Sequence, residues 1–547
     1  MWLAKINHKL LIIFLLALFL RLFKLESHPV SLSWDEVAIG YNAYSIYQTG
    51  KDEYAVSYPL LFKSFNDYKL PGYIYLDSIF VGFFGLNELS VRLPSALFGA
   101  FAIPILYLIT KRLLENPQTK SLKASKSISL IAAALLAISP WHMQFSRAAF
   151  EANAALTIFL LGILFLLVGL KNRLAAYLSI PILVVSLYFY YSQRLLVPLI
   201  ILGFLAIFII RLKNNLKVYL ISLVVGGLIF IPIGINFLKP EGAKRISEVS
   251  IFSDPTIYSE AVFVKSQISN FFTNIFLNYK VPLSLEFLHS YFSHFSPGFL
   301  FFSDDPNPRQ KIPLTGNLYL FELITLSTGF WQLLTLKNKS AKFFILFWLM
   351  ITPITASLTK ESPHSLRSLP MVAPALIISA LGFRKLLRNK LLKLSTLTVM
   401  LVSLTGYLVN YYYLYPAQNS ASWGYGYKHL FMKLNEQEDS FDKIIVTGIN
   451  WKPYVNYLFY NKTDPSLYQK SGSQTIIGKY VFGPTPWDNN GMEIDDNFIN
   501  ASKGSKTLLA LSPQELEKLK DKTRFRKTSE IRDYSNRYVI YEIGQWQ

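Results

Sequence analysis

The chain has 547 residues, 52% hydrophobic and 16% charged, with a formal net charge of +20. That balance excludes an ordinary soluble enzyme of this size, and the absence of cysteine excludes a disulfide framework and a thiolate metal site. Residues 417–547 hold 17 Lys and Arg against 15 Asp and Glu, so nearly all the excess lies in the first 416 residues, where it reads as a topology signal and not as a nucleic-acid footprint.

Repeated long apolar runs predict an α-helical polytopic membrane protein. Spans are expected near 10–23, 91–110, 128–141, 150–170, 174–191, 195–210, 217–237, 317–336, 342–358, 368–383 and 395–415, about eleven transmembrane helices. The first run follows Lys5 and Lys9 and is closed by Arg21 and Lys24. No small-residue cleavage site follows it, so it is read as a retained span and not as a removed signal.

Basic residues gather in every second loop: Lys111, Arg112, Lys120, Lys123 and Lys126; Lys171 and Arg173; Arg211, Lys213 and Lys217; Lys337, Lys339 and Lys342; Arg384, Lys385, Arg388, Lys390 and Lys393. The positive-inside rule makes these loops and the N-terminus cytoplasmic, and an odd number of crossings places the C-terminus outside a plasma membrane. Parity then bars 72–86 from crossing, so this apolar stretch is expected to lie in the interface, re-enter, or extend the next span.

The outer loops hold the candidates for chemistry. The first, 24–71, contains Ser33-Trp34-Asp35-Glu36, followed by Asp52, Glu53, Asp67 and Lys69. An ionised acid costs roughly 2.5–3.5 kcal/mol at a membrane helix centre, but at the membrane face it reaches both water and a lipid-borne substrate, so Asp35 is a candidate base. The same residues read equally as a capping box, with Ser33 at the N-cap and Glu36 three residues on. Val37–Tyr47 is expected to be an amphipathic helix on the membrane surface. A second, short loop carries Arg147 and Glu151 at i,i+4, and a third turn carries Tyr191 and Arg194. The long loop 238–316 is rich in Phe and Tyr and ends near Asp304-Asp305-Pro306; those acids suit a divalent cation or a proline turn. The aromatics of 287–302 suit interfacial packing or a wall for a sugar or prenyl chain. A fifth loop carries His364 and Arg367.

After Pro416 the apolar runs shorten to strand length at 443–448, 475–482, 506–511 and 537–543, and Ser512-Pro513-Gln514-Glu515 opens a helix with an N-cap, a proline and a glutamate at N3. The division expected is 1–415, a transmembrane catalytic domain with large outer loops at 24–71 and 238–316, and 416–547, a small extracytoplasmic α/β domain. No nucleotide fingerprint or internal repeat is found, and no nucleic-acid partner is expected.

The pattern resembles the polytopic GT-C glycosyltransferases, in particular the branch with the protein O-mannosyltransferases and the lipid A aminoarabinose transferase. The matching stretches are Trp34-Asp35-Glu36, Lys69-Leu70-Pro71-Gly72-Tyr73, and Arg92-Leu93-Pro94-Ser95-Ala96-Leu97-Phe98-Gly99. Further along come Ser139-Pro140 with Ser146-Arg147 and Glu151, Tyr191 with Arg194 and Pro198, and His364 with Arg367 and Pro370. The resemblance covers most of 1–415 and implies a polyprenyl-phosphate sugar donor. It implies Asp35 as base, Glu36 beside it, and a functional acid at Glu151, where relatives often carry Asp. Relatives carry Lys-Pro-Pro where this chain has Lys69-Leu70-Pro71.

A lipid-phosphate sugar brings its own leaving group. What remains is to take a proton from an acceptor hydroxyl and to neutralise the departing phosphate. A placed carboxylate contributes about 10²–10⁴-fold to the first, and fixed cations do the second. Arg147, Arg194 and Arg367 are therefore the candidate phosphate binders, with Lys69, Tyr191 and His364 beside them. Arginines at span ends also serve as interfacial anchors, and Glu151 also suits a plain pair with Arg147. No metal ligand set is expected; a divalent cation is the one open cofactor. The function expected is transfer of a sugar to an acceptor hydroxyl on a lipid, glycan or protein at the outer face, against membrane lipids. A transporter or flippase of a lipid-linked glycan is the alternative, disfavoured because carriers place binding groups near the midplane, whereas the charges here crowd at span ends.

Overall fold

The computed structural model describes residues 7–65, 67–115, 122–212, 215–268, 271–272, 278, 280–302, 305–447, 452–471, 475–483, 506–519 and 521–547. Lys5, Lys120, Lys213, Asp304 and Gly448 lie outside the described residues. The chain is an α-helical polytopic membrane protein with a C-terminal sheet. It forms two compact units, one of residues 1–23 and 95–410, the other of 24–94 and 411–547.

In chain order the first ten helices are α1 (His8–Leu22), α2 (Trp34–Thr49), α3 (Pro71–Phe84), α4 (Glu88–Leu114), α5 (Leu122–Ile138), α6 (Pro140–Ser146), α7 (Glu151–Gly169), α8 (Arg173–Val185), α9 (Gln193–Leu212) and α10 (Leu216–Leu238). Each of the eleven apolar stretches carries a helix. Among the described residues seven helices are long and apolar enough to cross a membrane: α4, α7, α9, α10, Lys339–Ser357, Leu369–Leu386 and Lys390–Asn419. A bent pair, α5 and α6, makes an eighth, with a break of 54°. Pro140 sits at the start of α6, where its missing N–H costs no helical bond. Arg173–Tyr188 and Leu320–Leu334 are shorter apolar helices, and α1 has 15 residues.

In the first unit, helices Leu320–Leu334 and Val372–Leu386 touch backbone to backbone. A Cβ on Gly329 would fall 1.9 Å from the Ile378 carbonyl oxygen, and one on Gly382 would fall 2.0 Å from that of Thr325. Beside this contact the Thr325 and Ser379 hydroxyls lie 2.6 Å apart. Lipid supplies little hydrophobic drive between helices, so small residues and side-chain hydrogen bonds hold them. The long 238–316 segment is largely helical where described, with Pro240–Val249, Thr256–Gln267, Lys280–Ser293 and Pro297–Phe301.

The second unit contains α2, α3 and a hairpin of β1 (Phe62–Ser64) and β2 (Asp67–Lys69), paired Phe62 to Lys69. The stretch 72–86 is the separate helix α3, ended by Gly85 at φ 76°, and it is not among the helices long enough to span. Helix α2 departs from the expected one-sided pattern: it is buried on nearly every face from Glu36 to Ile46. Gly40 shows why. A Cβ there would lie 2.6 Å from Val91 and 2.7 Å from Phe459, so α2 is enclosed by protein and does not float on a lipid surface.

The C-terminal strands are β3 (Lys443–Val446), β4 (Ile476–Ile477), β5 (Tyr480–Phe482), β6 (Thr507–Leu511), β7 (Phe525–Arg532) and β8 (Val539–Trp546). Among the described residues they form one six-stranded sheet in the order β4-β5-β3-β6-β8-β7. β3 runs parallel to β5 and β6, and the other pairs are antiparallel. The central strands β3 and β6 are apolar runs rather than alternations, as expected of strands covered on both faces. Ile445, Leu509, Leu511 and Leu519 form a buried core there. The helix Pro513–Lys518 has the expected capping box on Ser512 and Glu515.

Candidate functional site

Asp35 occupies the first turn of α2, and the capping box predicted for Ser33 and Glu36 is formed: the Ser33 backbone N–H donates to Glu36 Oε2 at 2.9 Å and the Glu36 N–H to Ser33 Oγ. The box fixes the direction in which α2 starts. Lys69, on β2, donates from Nζ to Asp35 Oδ1 at 2.5 Å and lies 3.7 Å from Asp67. Lys69 is only 5% exposed, whereas the Asp35 side chain is 34% exposed. Helix and hairpin thus bring together an accessible carboxylate and a buried ammonium that orients it. Lys69, a candidate phosphate contact by its place in the sequence, has its ammonium on Asp35 in this structure.

Glu36, expected beside Asp35 in the chemistry, is 2% exposed. Arg92 Nε donates to its Oε1 at 2.9 Å, and the cap occupies Oε2. Arg92 is itself buried and donates to the carbonyl oxygens of Leu25, Pro29 and Ser31. Glu36 is therefore a strut between the chain entering α2 and the start of α4, and its engaged oxygens do not suit it to act as a base. Glu53, given no role from sequence, is also buried. Its Oε1 accepts from Ser64 Oγ at 2.7 Å, and its N–H donates to Asn42 of α2. Burial raises its pKa to about 8, because removing the carboxyl from water penalises the charged form.

In the other unit, Tyr191, Arg194 and Arg367 share one cavity of about 280 Å³. Arg194 opens α9 and lies 4.2 Å from the centroid of the Tyr191 ring and 3.2 Å from that of Phe237. Segment 249–251 pairs with 358–360 through Lys360 N–H to Val249 O and Ile251 N–H to Leu358 O. This pairing brings Phe252 and Leu358 to the cavity wall. Arg367 is tied to the same segment by a 2.7 Å bond from Nη1 to Thr359 Oγ1. Two guanidinium groups set in a largely apolar cavity suit a phosphate carried on a hydrocarbon chain, since an arginine fork binds two phosphate oxygens at once.

His364 does not line that cavity. It is buried, and its backbone N–H donates to His294 Nε2 at 3.2 Å while His294 Nδ1 faces the Ser290 carbonyl oxygen at 2.7 Å. Burial lowers the His294 pKa to about 4, which keeps Nε2 free to accept. Asp305 Oδ2 accepts from the Ser365 N–H at 2.6 Å, and Gln310 Oε1 from that of Leu366. Burial raises the Asp305 pKa against these bonds. His294, Asp305 and Gln310 thus hold the turn that presents Arg367. Sequence reasoning missed two of these three, because each acts on backbone groups far away in the chain. Among the described residues no group of three His, Cys, Asp or Glu side chains is placed to hold a metal ion.

Arg147 is fully buried, with Nη1 donating to the Leu20 and Arg21 carbonyl oxygens and Nη2 to that of Phe23. These are carbonyls at the C-terminal end of α1, which a helix leaves without internal partners. The guanidinium expected at a phosphate is engaged here with the end of a helix. The expected outer loop around it is instead the buried helix α6 and a turn. Glu151 is the first residue of α7, where an acid suits the helix dipole.

Comparison with solved structures places this architecture. The chain aligns over 99% of its length with 98% of ArnT from Cupriavidus metallidurans bound to undecaprenyl phosphate, at TM-score 0.52 and 11% identity. The apo form of the same protein gives TM-score 0.52 at 12% identity. This is the GT-C fold. The fold that the GT-C resemblance implies is thereby borne out. An oligosaccharyltransferase from Archaeoglobus fulgidus, tethered to an acceptor peptide, aligns at TM-score 0.48 and 15% identity over 82% of this chain; the chain spans 62% of that longer protein. The family described as dolichyl-phosphate-mannose-protein mannosyltransferase matches residues 69–235. No curated protein matches the sequence.

Proposed function

We propose that this GT-C protein transfers a sugar from a polyprenyl-phosphate donor to an acceptor hydroxyl at the outer face of the plasma membrane. The observation that carries the reading is the pair Arg194 and Arg367 in an otherwise largely apolar cavity. An anion bound there would have to bring apolar surface with it, and a polyprenyl phosphate does. The ArnT relative was solved with undecaprenyl phosphate, which agrees with this assignment.

In the proposed reaction Asp35 accepts the proton of the acceptor hydroxyl as its oxygen attacks the anomeric carbon. The bond from that carbon to the phosphate oxygen breaks, and its electron pair leaves on the polyprenyl phosphate. Arg194 and Arg367 stabilise that charge, an effect of a few kcal/mol for each well-placed donor. A single displacement inverts the anomeric centre. Lys69 orients Asp35, and Glu36 holds the helix that carries it. The C-terminal sheet lies outside the membrane in this reading, with the N-terminus cytoplasmic and the boundary near 415. Glu151 is a proposed acidic participant, as the resemblance implies.

The test is donor binding. Arg194→Ala and Arg367→Ala are each expected to weaken binding of a polyprenyl-phosphate sugar at least tenfold, measured by titration of the purified full chain. Unchanged affinity in both variants removes the phosphate assignment. Movement of an intact lipid-linked glycan across vesicles without sugar transfer would favour the carrier reading instead.

A further inference from the structure

We propose that the unit of residues 1–23 and 95–410 holds a second lipid site, for the phosphate of an anionic phospholipid, at the end of the bundle opposite Arg194. A cavity of about 360 Å³ is lined there by Lys337, Arg384, Lys385 and Arg388, with no acid among the described lining residues. Its position follows from α9. Arg194 is near the start of that helix and Arg211 near its end, where Arg211 Nη2 donates to Oδ1 of Asn338, itself a lining residue. At 1.5 Å per residue the two arginines are about 25 Å apart along the axis. A ligand in this cavity is therefore separate from the proposed sugar donor.

Electrostatics give the chemistry of the ligand. Arg384, in the last turn of Val372–Leu386, and Arg388, in the turn just beyond it, line the same concavity, so like charges are held close together. The nearby carboxylate, Glu115, lies within 4 Å of Lys111 and Arg112. The C-terminal ends of α4, Leu320–Leu334 and Val372–Leu386 converge here, and their dipoles offset part of the charge. The first turn of α5 adds N–H groups at Ala124 and Ser125. Four cations around a concavity call for an anion, and Leu336 and Leu381 on the same wall offer contact to its hydrocarbon. A phosphodiester headgroup with acyl chains meets both demands; inorganic phosphate meets only the first. Basic pockets between membrane helices on the basic side commonly take such headgroups.

The experiment is native mass spectrometry of the full-length protein with phosphatidylglycerol or phosphatidylcholine, beside thermal unfolding with added inorganic phosphate. Phosphatidylglycerol is expected to be retained at least tenfold more than phosphatidylcholine. The variant K337Q/R384Q/K385Q/R388Q is expected to lose that preference, while K171Q/R173Q/K390Q/K393Q, which removes as many charges outside the cavity, keeps it. Equal retention of the two lipids by the unaltered protein overturns the proposal, whether or not the variants fold. So does equal loss in both variants. Stabilisation by inorganic phosphate with no lipid preference would assign the cavity to a free anion and also overturn the lipid site.

Discussion

Adjacent acids take opposite parts in this chain. Asp35 keeps a third of its side chain in solvent beside Lys69, whereas Glu36 is sealed against Arg92. Glu36→Gln leaves the Arg92 guanidinium buried with a weakened partner, and breaking a buried ion pair costs about 3–5 kcal/mol. A clear fall in the melting temperature of the purified chain is expected, larger than for Asp35→Asn; equal effects would deny Glu36 its structural role. Glu53 gives a pH signature. Its folded pKa, about 8, is raised above the ordinary 4.5, so the folded state holds the proton more tightly than the unfolded one. Its contribution is complete below about pH 4.5 and is lost as pH rises through about 8. Thermal unfolding followed from pH 5 to 9 should show falling stability over that window, and Glu53→Gln should flatten it. An unchanged slope in that variant would place the titration elsewhere.

At the level of elements, much was legible because periodicity and caps are local. Eleven apolar runs became helices, and the boxes at Ser33 and Ser512 formed as written in Ser-x-x-Glu. What was not legible depended on distant partners. The spacing of Val37–Tyr47 suggested a surface helix, but Val91 and Phe459 enclose it at Gly40. Arg147 carries the same side chain as Arg194, and no local signal says that one finds the carbonyls of α1 and the other a cavity. Arg92 stood in a quoted motif without a role, because its partners are Glu36 and loop carbonyls more than fifty residues away. The difference between the two arginines is testable. Arg147→Ala is expected to lower thermal stability and leave donor affinity unchanged, and a selective loss of donor affinity would return Arg147 to the phosphate.

Across the bundle, charge separates by end. The loops rich in Lys and Arg lie on one side of the spans, and Arg194 and the turn bearing Arg367 belong to the other. A reporter active only outside the cytoplasm, fused after Gln547, is expected to be active; an expressed but inactive reporter would invert the assignment and take the proposed outer site with it. Asp35 is proposed as the base of a sugar transfer from a lipid phosphate. The most direct measurement of that role is turnover of the purified full chain on a panel of polyprenyl-phosphate sugars, with products identified by mass spectrometry, for the natural protein and Asp35→Asn. A glycosylated acceptor and free polyprenyl phosphate are expected from the natural protein, with the rate lowered about 10²–10⁴-fold in the folded variant. Near-normal turnover by Asp35→Asn would contradict it.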